Sequence, residues 1–520
     1  MRRFVCTIAA ALALAAPASA ETVLKVSLHS DLKIVDPIWT TALISTHYGN
    51  MVYDTLFSVD DQLQPKPQMV DKWEVSPDKL IWTFTLRDGL EWHDGKPVAA
   101  EDCVASIKRW AAKDSMGQKL MSVVAELGAP DARTIKMVLK EPYGLVLDSL
   151  AKPSANIPFM MPKRIADTDP NTQITDYTGS GPFIFKKDEW KPGEKAVFVK
   201  NTRYKPRSEP ANGLSGGKVV KVDRVEWVTI PDQQTQVSAL LNGEIDMVEN
   251  VPPDLLPLLQ KDRNVKVMVV NKAGRQYELR FNVLHKPFDN PKIREAVLYA
   301  LDQKPFLEAN VGAADYYSMC KSLFPCGSPL ATTKGWDDKV SGNVARAKEL
   351  LKEAGYDGTP VVLLHQTDIA GHNQLATVAK PQLEAAGFKV DLQAMDWQTL
   401  VARRAKKEPL AQGGWSVYFT SWGSPDVMNP VSAAFINAAC DKATFGWPCD
   451  EGIEKLRDAY AKETDPAKQK AIAEQVSVRL SGAYPTFAPL GQFTVPTALR
   501  SNIDGLLAVP ELALWNVEKK

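Results

Sequence analysis

The stretch of sequence that decides the fold is VVLLHQTDIAGHNQLATVAKPQLEAAGFKVDLQ, residues 361–393. Its first four residues form a short apolar run, and residues 390–393 alternate between apolar and polar side chains, as buried and half-buried strands do. Between them, residues 373–386 predict a helix that ends at Gly387. Pro381 inside this helix predicts a kink or a later start, because proline has no N–H group to donate. A strand, a helix and a second strand in this order predict a βαβ unit, and therefore an α/β fold with a parallel sheet.

A third strand of the same sheet is predicted over residues 415–420. Ligands of open α/β sheets bind beyond the carboxyl ends of the strands, where loops and helix N-termini meet. The polar residues His365-Gln366-Thr367-Asp368 follow the first strand, and Trp422 and Asp426 follow the third. If the third strand runs parallel, two carboxylates and an indole face one cleft. The residues predicted to bind a ligand there are Asp426, Trp422, Trp415, Tyr418, Asp368 and Thr367.

For several of these residues a structural role is an equal or stronger alternative. Trp415 and Tyr418 lie in the predicted strand, where alternate side chains usually face the core, and the same alternative holds for Trp422. Asp368 can serve as the N-cap of a helix, and Asp426 can cap a turn next to Pro425.

The chain on either side of this unit has two different patterns. In the N-terminal part, residues 82–86 alternate and run into a turn, and residues 183–187 and 196–199 predict an antiparallel pair. In the second half, longer amphipathic helices begin at Pro291 and at Pro466, each after an Asp or Asn residue that can act as a cap. With 520 residues and about 150 residues per domain, the chain is long enough for about three folding units.

The overall charge argues against a nucleic acid or an anionic membrane surface as a partner. Lys and Arg together number 62, and so do Asp and Glu. Proteins that bind polyanions usually carry a basic excess, and this chain has none. The composition therefore favours a small or neutral partner.

The first 20 residues have the features of a secretory signal peptide. Arg2 and Arg3 precede an apolar stretch over residues 4–16, and Ala18-Ser19-Ala20 fits a cleavage site, so we expect the mature chain to begin at Glu21. No later apolar run approaches the ~18 residues that a membrane-spanning helix needs. The sequence predicts an exported protein.

Five cysteines remain beyond the predicted signal peptide. In an oxidising compartment Cys320 and Cys326, and likewise Cys440 and Cys449, are close enough in sequence to form disulfides that close short loops. Cys103 is left over at a predicted helix start and is expected to be a buried thiol. A zinc site is not expected, because neither pair has CxxC spacing.

Several segments resemble those of one protein family. The most specific is WTFTLRDGLEWHDGKPVAAED, residues 82–102. The others are Gly181-Pro182-Phe183, residues 190–194, 239–246, 286–289 and 293–296, and Phe445-Gly446-Trp447-Pro448-Cys449-Asp450. On these segments the sequence resembles the periplasmic solute-binding proteins of peptide and nickel type ABC importers, family 5, and in particular the dipeptide-binding proteins. The resemblance extends over essentially all of the mature chain.

The resemblance implies a two-lobed fold in which lobe I is itself divided into two domains. It also implies a monomer in the periplasm that captures a short peptide or an amino-acid-derived solute between its lobes and delivers it to an inner-membrane permease. No catalysis and no cofactor are implied. The expected division is a signal peptide over 1–20, a main domain of lobe I over 21–55, 176–278 and 488–520, an inserted domain over 56–175, and lobe II over 279–487.

The resemblance also implies a role for one site residue. In dipeptide binders an aspartate in the loop after a lobe II strand binds the α-ammonium group of the ligand, and the matching residue is Asp426. An arginine for the ligand's carboxylate is expected just after residues 361–364, but His365 to Asp368 include none. Because a buried carboxylate without a cationic partner is costly to desolvate, this departure puts an ordinary dipeptide ligand in question.

Three alternatives remain open at this point. The same fold can bind a metal chelate, an opine or an oligosaccharide instead of a peptide. His365, Asp368 and His372 lie close enough in sequence to form a metal site. A secreted hydrolase is the remote alternative: Ser30 and Lys33 fit S-x-x-K, but the chain has no K-T-G box and no G-x-S-x-G elbow.

Overall fold

A computed structural model describes residues 21–369 and 371–520, except for the side chain of Gln398. The predicted signal peptide over residues 1–20 lies outside the described residues. The described part of the chain is an α/β protein, as predicted, with 23 strands and 14 α-helices. None of its helices is long and apolar enough to cross a lipid bilayer.

The strands, in chain order, are β1 (Val23–Ser27), β2 (Asp54–Thr55), β3 (Phe57–Val59), β4 (Pro65–Pro67), β5 (Val70–Val75), β6 (Ile81–Leu86), β7 (Val124–Gly128), β8 (Thr134–Leu139), β9 (Phe159–Met160), β10 (Phe183–Phe185), β11 (Lys195–Lys200), β12 (Arg224–Val228), β13 (Met247–Val248), β14 (Val265–Val269), β15 (Arg275–Phe281), β16 (Tyr317–Ser318), β17 (Val361–Gln366), β18 (Val390–Met395), β19 (Val417–Gly423), β20 (Phe487–Phe493), β21 (Pro496–Arg500), β22 (Ile503–Asp504) and β23 (Glu518–Lys519).

The α-helices are α1 (Leu43–Val52), α2 (Ala100–Lys113), α3 (Ser115–Val123), α4 (Val146–Leu150), α5 (Lys163–Ala166), α6 (Gln233–Asn242), α7 (Leu256–Lys261), α8 (Pro291–Ala300), α9 (Gln303–Asn310), α10 (Val344–Glu353), α11 (Leu375–Ala386), α12 (Trp397–Arg404), α13 (Glu451–Lys462) and α14 (Pro466–Val478). The predicted helix starts at Pro291 and Pro466 are confirmed, with the side chains of Asn290 and Asp465 as N-caps.

The first large sheet has seven strands in the order β10-β11-β12-β1-β13-β21-β14. Strand β1 is parallel to both of its neighbours, β12 and β13, so these three strands end at the same edge. Strands β10 and β11 form the antiparallel pair that the alternating sequence predicts. Helix α1 lies beside this sheet, and nine of its ten residues are buried.

The second large sheet has six strands in the order β16-β20-β15-β19-β17-β18. Strand β17 is parallel to β18 and to β19, and α11 connects β17 to β18, so the predicted βαβ unit and the parallel third strand are confirmed. Helix α11 ends before Gly387, which has a positive φ of 104°, a conformation that glycine adopts without strain. Pro381 lies inside α11 at an exposed position, where the carbonyl that it leaves unpaired can face water.

Two strand boundaries in this sheet differ from the prediction. Strand β17 continues through His365 and Gln366, because both residues keep pairing with the end of β18 although their side chains are polar. Strand β19 begins at Val417 and runs to Gly423, so Trp415 precedes it and Trp422 belongs to it.

A third sheet has four antiparallel strands in the order β5-β6-β8-β7 and lies between residues 70 and 139. The pairs β2-β9, β3-β4 and β22-β23 form small separate sheets. The three larger sheets thus occupy different parts of the sequence. The domain boundaries given above stay a prediction.

The chain passes between the seven-stranded and the six-stranded sheet twice. Residues 270–274 join β14 to β15, and residues 494–495 join β20 to β21. The two crossings lie against each other at Gly274, which has a φ of +72°, and a Cβ atom there would lie 2.6 Å from the carbonyl oxygen of Phe493. Only glycine fits this close approach of two backbones.

The four-stranded part also touches the six-stranded part far from the crossings. The backbone N–H of Gly144 donates to the carbonyl of Ala461 at 2.8 Å. Ion pairs join Lys119 to Glu454 at 3.3 Å and Lys462 to Glu141 at 2.9 Å. These contacts, which we call the outer contact, hold α13 against the segment that contains α3 and Gly144.

The cysteines behave as the sequence predicts. Cys320 forms a disulfide with Cys326, and Cys440 forms one with Cys449. Cys103 is a buried free thiol in α2, and burial raises its pKa. A buried thiol with a raised pKa is unreactive, so Cys103 is a structural residue.

Candidate functional site

The two large sheets direct the carboxyl ends of their parallel strands toward the same gap, beside the two crossings. At this edge of the seven-stranded sheet, His29 follows β1 and Glu249 follows β13. At the facing edge of the six-stranded sheet, Asp426 follows β19. We call the gap between these edges the cleft. Since strand ends and loops converge there, it is where an α/β protein binds a ligand.

Asp426 is the central residue of the site on the side of the six-stranded sheet. It lies in a short 3₁₀ turn after β19 and is 9% exposed. Its Oδ1 atom is buried and makes no hydrogen bond to any described residue. Burial first, and the charge of Glu511 next, raise the pKa of Asp426 to about 6. Among the described residues, no cationic side chain is close enough to form an ion pair with it.

Glu511 is the facing carboxylate on the side of the seven-stranded sheet. It is 3% exposed, and its Oε1 atom accepts a hydrogen bond of 2.7 Å from the hydroxyl of Ser154. A Cβ atom at Gly423 would lie 3.3 Å from Asp426 Oδ2 and 3.8 Å from Glu511 Oε1, so both carboxylates border one small space. We call Asp426 and Glu511 the carboxylate pair.

Behind Glu511 lies a group of two histidines and a glutamate, which we call the histidine–glutamate cluster. The backbone N–H of His29 and its Nδ1 atom contact Glu249 Oε2 at 2.9 and 2.8 Å. His47, on α1, has its Nδ1 atom 3.7 Å from Glu249 Oε1 and its Nε2 atom 3.4 Å from Glu511 Oε2. The cluster therefore connects with the carboxylate pair through His47.

The charges within the histidine–glutamate cluster support one another. Burial opposes ionisation of Glu249, but His29 and His47 outweigh it and lower the pKa of Glu249 to about 2. Burial also opposes protonation of His47, but Glu249 and Glu511 outweigh it and raise the pKa of His47. Glu249 is consequently an anion at neutral pH, with its charge balanced inside the same part of the molecule.

Two cationic side chains lower the pKa of Asp426, namely Lys152 and Arg275. Lys152 is buried in an ion pair with Asp114 and also donates to the carbonyl of Ala155. Arg275, at the start of β15, is held by Ser421, to which its Nε atom donates at 3.2 Å. Since Lys152 is already engaged by Asp114, Arg275 is the better candidate to meet an anionic group of a ligand.

Thr367 and Asp368 lie at the predicted edge, but both are bonded to the neighbouring strand and helix. The hydroxyl of Thr367 donates to the carbonyl of Met395, and Asp368 accepts a hydrogen bond of 2.8 Å from the backbone N–H of Trp397. Asp368 thus satisfies one N–H group of the first turn of α12 from outside the helix, whereas the N-cap of α12 is Asp396, so the alternative that Asp368 is itself an N-cap is wrong. The carboxylate that faces Asp426 is Glu511 and not Asp368.

Trp415 and Tyr418 are placed in the core. Trp415 is 0% exposed, its indole N–H donates to the carbonyl of Arg404 at 3.1 Å, and its ring packs edge-on against Tyr418. Both residues belong to a hydrophobic cluster with Leu364 and Trp447. Both rings pack in this cluster with Val362 of β17 and Leu400 of α12, so these neighbours, and not a ligand, cover them. We do not propose either residue as a ligand contact.

Trp422 lies in β19 near a buried acid that the sequence gave no reason to single out. Its indole nitrogen is buried without a hydrogen bond to any described residue, and so are both carboxylate oxygens of Glu278 on β15. Burial raises the pKa of Glu278 to about 8, against the opposing charge of Arg280. Glu278 is therefore mostly a neutral acid at pH 7, inside the sheet that carries Asp426.

The metal alternative at His365, Asp368 and His372 is not supported by their positions. His365 lies within β17, and burial lowers its pKa, while Asp368 binds the backbone of Trp397. The Nε2 atom of His372 lies 2.9 Å from the hydroxyl of Ser421. Among the described residues, the one group of three with metal-ligand geometry is His29, His47 and Glu249.

Comparison with known proteins places the chain in a family. Residues 64–443 match the model of the bacterial extracellular solute-binding proteins, family 5. The chain belongs to this family.

Individual relatives agree with the family. The chain is 41% identical over 495 residues, 94% of this chain and 92% of the other, to a probable peptide ABC transporter periplasmic-binding protein, y4tO, of Sinorhizobium fredii (strain NBRC 101917 / NGR234). Among solved structures it resembles DppA, an ABC transporter-associated periplasmic binding protein from Helicobacter pylori in complex with the peptide STSA. The TM-score is 0.78 and the identity 21%, over 96% of this chain and 98% of the other. It also resembles the binding protein AgaA in complex with agropinic acid, from A. tumefacien R10, with a TM-score of 0.79 and 22% identity over 96% and 99%.

These likenesses confirm the predicted family and the two-lobed periplasmic binding protein fold. The candidate site includes three residues that the sequence did not reveal, namely His47, Glu249 and Glu511. His47 lies on a helix with no cap or motif to mark it, and Glu511 lies in an irregular segment between β22 and β23. The segment 239–246, which contributes to the family resemblance, ends three residues before Glu249 and was the nearest available signal.

The buried acid of this family 5 protein gives a prediction about stability and pH. Because the pKa of Glu278 is raised in the folded state, the native state holds its proton more tightly, and stability falls as pH rises from the unfolded-state value toward about 8. We expect Glu278→Gln to have little effect at pH 5 and to stabilise the protein by up to about 4 kcal/mol at pH 8. Denaturant unfolding at both pH values measures this difference.

The matched control is Glu126→Gln, at an exposed position of β7. It should change the free energy of unfolding equally, and only slightly, at both pH values. A Glu278→Gln variant whose stability relative to the unmodified protein is the same at pH 5 and pH 8 would contradict the neutral-acid assignment.

Proposed function

We propose that this protein is the periplasmic solute-binding component of an ABC importer, and that it captures a short peptide or an amino-acid-derived solute in the cleft. The ammonium group of the solute binds between Asp426 and Glu511. The protein delivers the solute to an inner-membrane permease and does not change it chemically. The family, and the name of the relative from Sinorhizobium fredii, support the class of solute and the transport role.

The observation that carries this proposal is the meeting of two buried carboxylates from opposite sides of the cleft. Two like charges repel strongly where water is excluded, and the charge of Glu511 contributes to the raised pKa of Asp426. A cationic group between the two carboxylates reverses the sign of the interaction and satisfies the free Oδ1 atom of Asp426. An ammonium group is the cation that peptides and amino-acid derivatives carry.

This arrangement couples binding to closure. Asp426 and Glu511 face each other only when the two large sheets lie as close as they do here. A solute that contacts both carboxylates therefore stabilises the closed form by its differential affinity for that form. Without the solute, the repulsion within the carboxylate pair favours a form in which the sheets lie further apart.

Arg275 supplies the second half of the proposed recognition. The arginine that the resemblance to dipeptide binders predicts just after residues 361–364 is absent from this chain. Arg275 lies at the start of β15, at the same edge of the sheet. Its guanidinium is oriented by Ser421 and keeps donors for a carboxylate. We propose that Arg275 binds the carboxylate group of the solute.

The first prediction concerns the ammonium group. We expect Asp426→Asn to weaken binding of a free dipeptide by about 2–5 kcal/mol, because a desolvated charge pair is lost. Acetylating the amino group of the dipeptide should weaken binding to the unmodified protein by a similar amount and add little in Asp426→Asn. A panel of dipeptides and their N-acetyl forms, titrated against the fluorescence of the 13 tryptophans or by calorimetry, measures both effects.

Asp368→Asn is the matched control, since its carboxylate follows a neighbouring strand but is bonded to Trp397. It should leave the affinity within about threefold. Equal binding of free and acetylated dipeptides to the unmodified protein would refute the ammonium site. Mass spectrometry of the solute that copurifies with the protein tests the class directly, and an opine, a sugar or a metal chelate there would overturn the peptide assignment.

The second prediction concerns the carboxylate group. We expect Arg275→Gln to bind a dipeptide with a free carboxyl terminus at least tenfold more weakly than the unmodified protein does. The variant should bind the C-terminally amidated dipeptide with the same affinity as the unmodified protein. Removing one partner of a charge pair is costly only while the other charge is present. If Arg275→Gln lowers the affinity for the free dipeptide and for the amidated dipeptide by the same factor, Arg275 does not bind the solute's carboxylate.

The third prediction concerns closure at a distance from the solute. A Cβ atom at Gly144 would lie 2.2 Å from the carbonyl oxygen of Glu463, so Gly144→Ala cannot form the outer contact without a shift. We expect a loss of affinity of at least tenfold with an unchanged melting temperature in the absence of solute. Gly482→Ala is the control, because a Cβ atom there meets nothing within 4 Å. An affinity of Gly144→Ala equal to that of the control would show that the outer contact takes no part in closure.

A further inference from the structure

The histidine–glutamate cluster has features that solute binding by the carboxylate pair does not use. His29, His47 and Glu249 each offer one ligand atom, and these atoms lie within 4.8 Å of one another. His29 follows β1, His47 lies on α1, and Glu249 follows β13, so all three belong to the part of the molecule built around the seven-stranded sheet. The group is therefore assembled whether the cleft is open or closed.

We propose that His29, His47 and Glu249 bind one divalent transition-metal ion. Two imidazole nitrogens and one carboxylate oxygen form a ligand set that suits Zn²⁺, Co²⁺, Ni²⁺ or Cu²⁺, whereas Mg²⁺ and Ca²⁺ prefer oxygen ligands alone. This inference does not depend on the proposed solute.

The distances fit a single ion. Ligand atoms that each lie about 2.1 Å from one ion at a tetrahedral angle are about 3.4 Å apart. The Nδ1 atom of His29 is 2.8 Å from Glu249 Oε2, and the Nδ1 atom of His47 is 3.7 Å from Glu249 Oε1. These separations lie on either side of the required value but involve different oxygens of Glu249, so the carboxylate must turn for one oxygen to share an ion with both nitrogens, which lie within 4.8 Å of it. Glu511, 3.4 Å from the other nitrogen of His47, can orient this ring as the outer carboxylate partners of metal-bound histidines do.

The state of His47 points to a ligand. This side chain is 2% exposed, and its Nδ1 atom makes no hydrogen bond to any residue that the structure describes. A buried nitrogen without a partner costs free energy, and here it faces a carboxylate oxygen at a distance too long for a hydrogen bond. A metal ion between them would satisfy the free Nδ1 atom of His47. The side chain of His29 is 20% exposed and provides an entry from solvent.

The rival explanation is a purely structural network in which His29 donates to Glu249 and no metal binds. The experiment that separates the two titrates the full mature chain, freed of metal with a chelator, with Co²⁺ alone in a non-coordinating buffer. We expect one equivalent of Co²⁺ to bind, with visible absorption bands of a low-coordinate Co²⁺ site and no thiolate charge-transfer band. The melting temperature should rise with Co²⁺.

Variants assign the site. We expect His29→Gln and His47→Gln each to weaken Co²⁺ binding at least tenfold and to remove the visible bands. His285→Gln, which changes a histidine bonded to Lys407 elsewhere in the molecule, should bind as the unmodified protein does. Asp426→Asn should also bind Co²⁺ normally, which separates failure of this site from failure of the solute site.

Three outcomes would overturn the proposal. They are the absence of stoichiometric Co²⁺ binding, binding that survives in both His29→Gln and His47→Gln, and binding that is lost equally in His285→Gln. Since His47 is buried, the thermal unfolding of His47→Gln without metal is measured first to show that this variant folds. If it does not fold, Co²⁺ binding to His29→Gln, which changes a more exposed position, decides the question.

Discussion

The structure depends on one geometric constraint: two sheets joined by two adjacent crossings present the carboxyl ends of their parallel strands to the same gap. Strand ends place loops and unpaired backbone groups at this edge, and side chains of mixed charge collect there. Gly274 against Phe493 keeps the crossings close together, so the two edges cannot separate by translation alone. Movement that opens the gap must then be a rotation about the crossings, which changes the distance between Asp426 and Glu511 more than the contacts at the crossings themselves.

The magnitudes decide which form an empty molecule prefers. A rise in the pKa of Asp426 from its ordinary value of 3.8 to about 6 corresponds to a cost of roughly 3 kcal/mol for the ionised form in the closed state. The ion pairs of the outer contact are partly or largely exposed, and each contributes at most about 1 kcal/mol. Most of this cost comes from the burial of Asp426 and a smaller part from the charge of Glu511, and at neutral pH the outer contact offsets a comparable amount without exceeding it. A solute needs only modest differential affinity to shift such a balance toward closure.

The sequence predicts the architecture far better than it predicts the site. The βαβ unit was predictable because apolar runs, a helical stripe and Gly387 lie within 33 consecutive residues. The position of Asp426 at the sheet edge was predictable because it follows a strand of the same sheet, while its role as a ligand contact stays a prediction. Glu511 and His47 were not predictable, since they meet through contacts between parts of the chain hundreds of residues apart. Trp415 and Tyr418 show a different limit. Which face of a strand points at a cleft depends on the elements that pack against it, and the face of β19 that carries Tyr418 packs with Trp415 against Leu400 of α12.

The buried carboxylates of the site differ in how their charge is balanced, and the difference gives each part of the molecule its own role. Glu249 is held as an anion by His29 and His47, so the side built on the seven-stranded sheet balances this charge without help from across the cleft. Glu278 remains mostly protonated inside the six-stranded sheet and therefore carries little charge that needs to be balanced. Asp426 is balanced neither by neighbouring cations nor by protonation. It is too buried to be hydrated and has no cation in contact, yet its pKa of about 6 leaves it mostly ionised at pH 7. Of these three acids, Asp426 is therefore the one whose charge a guest in the cleft would balance, and this is the physical reason for proposing that the closing of the two sheets depends on a guest.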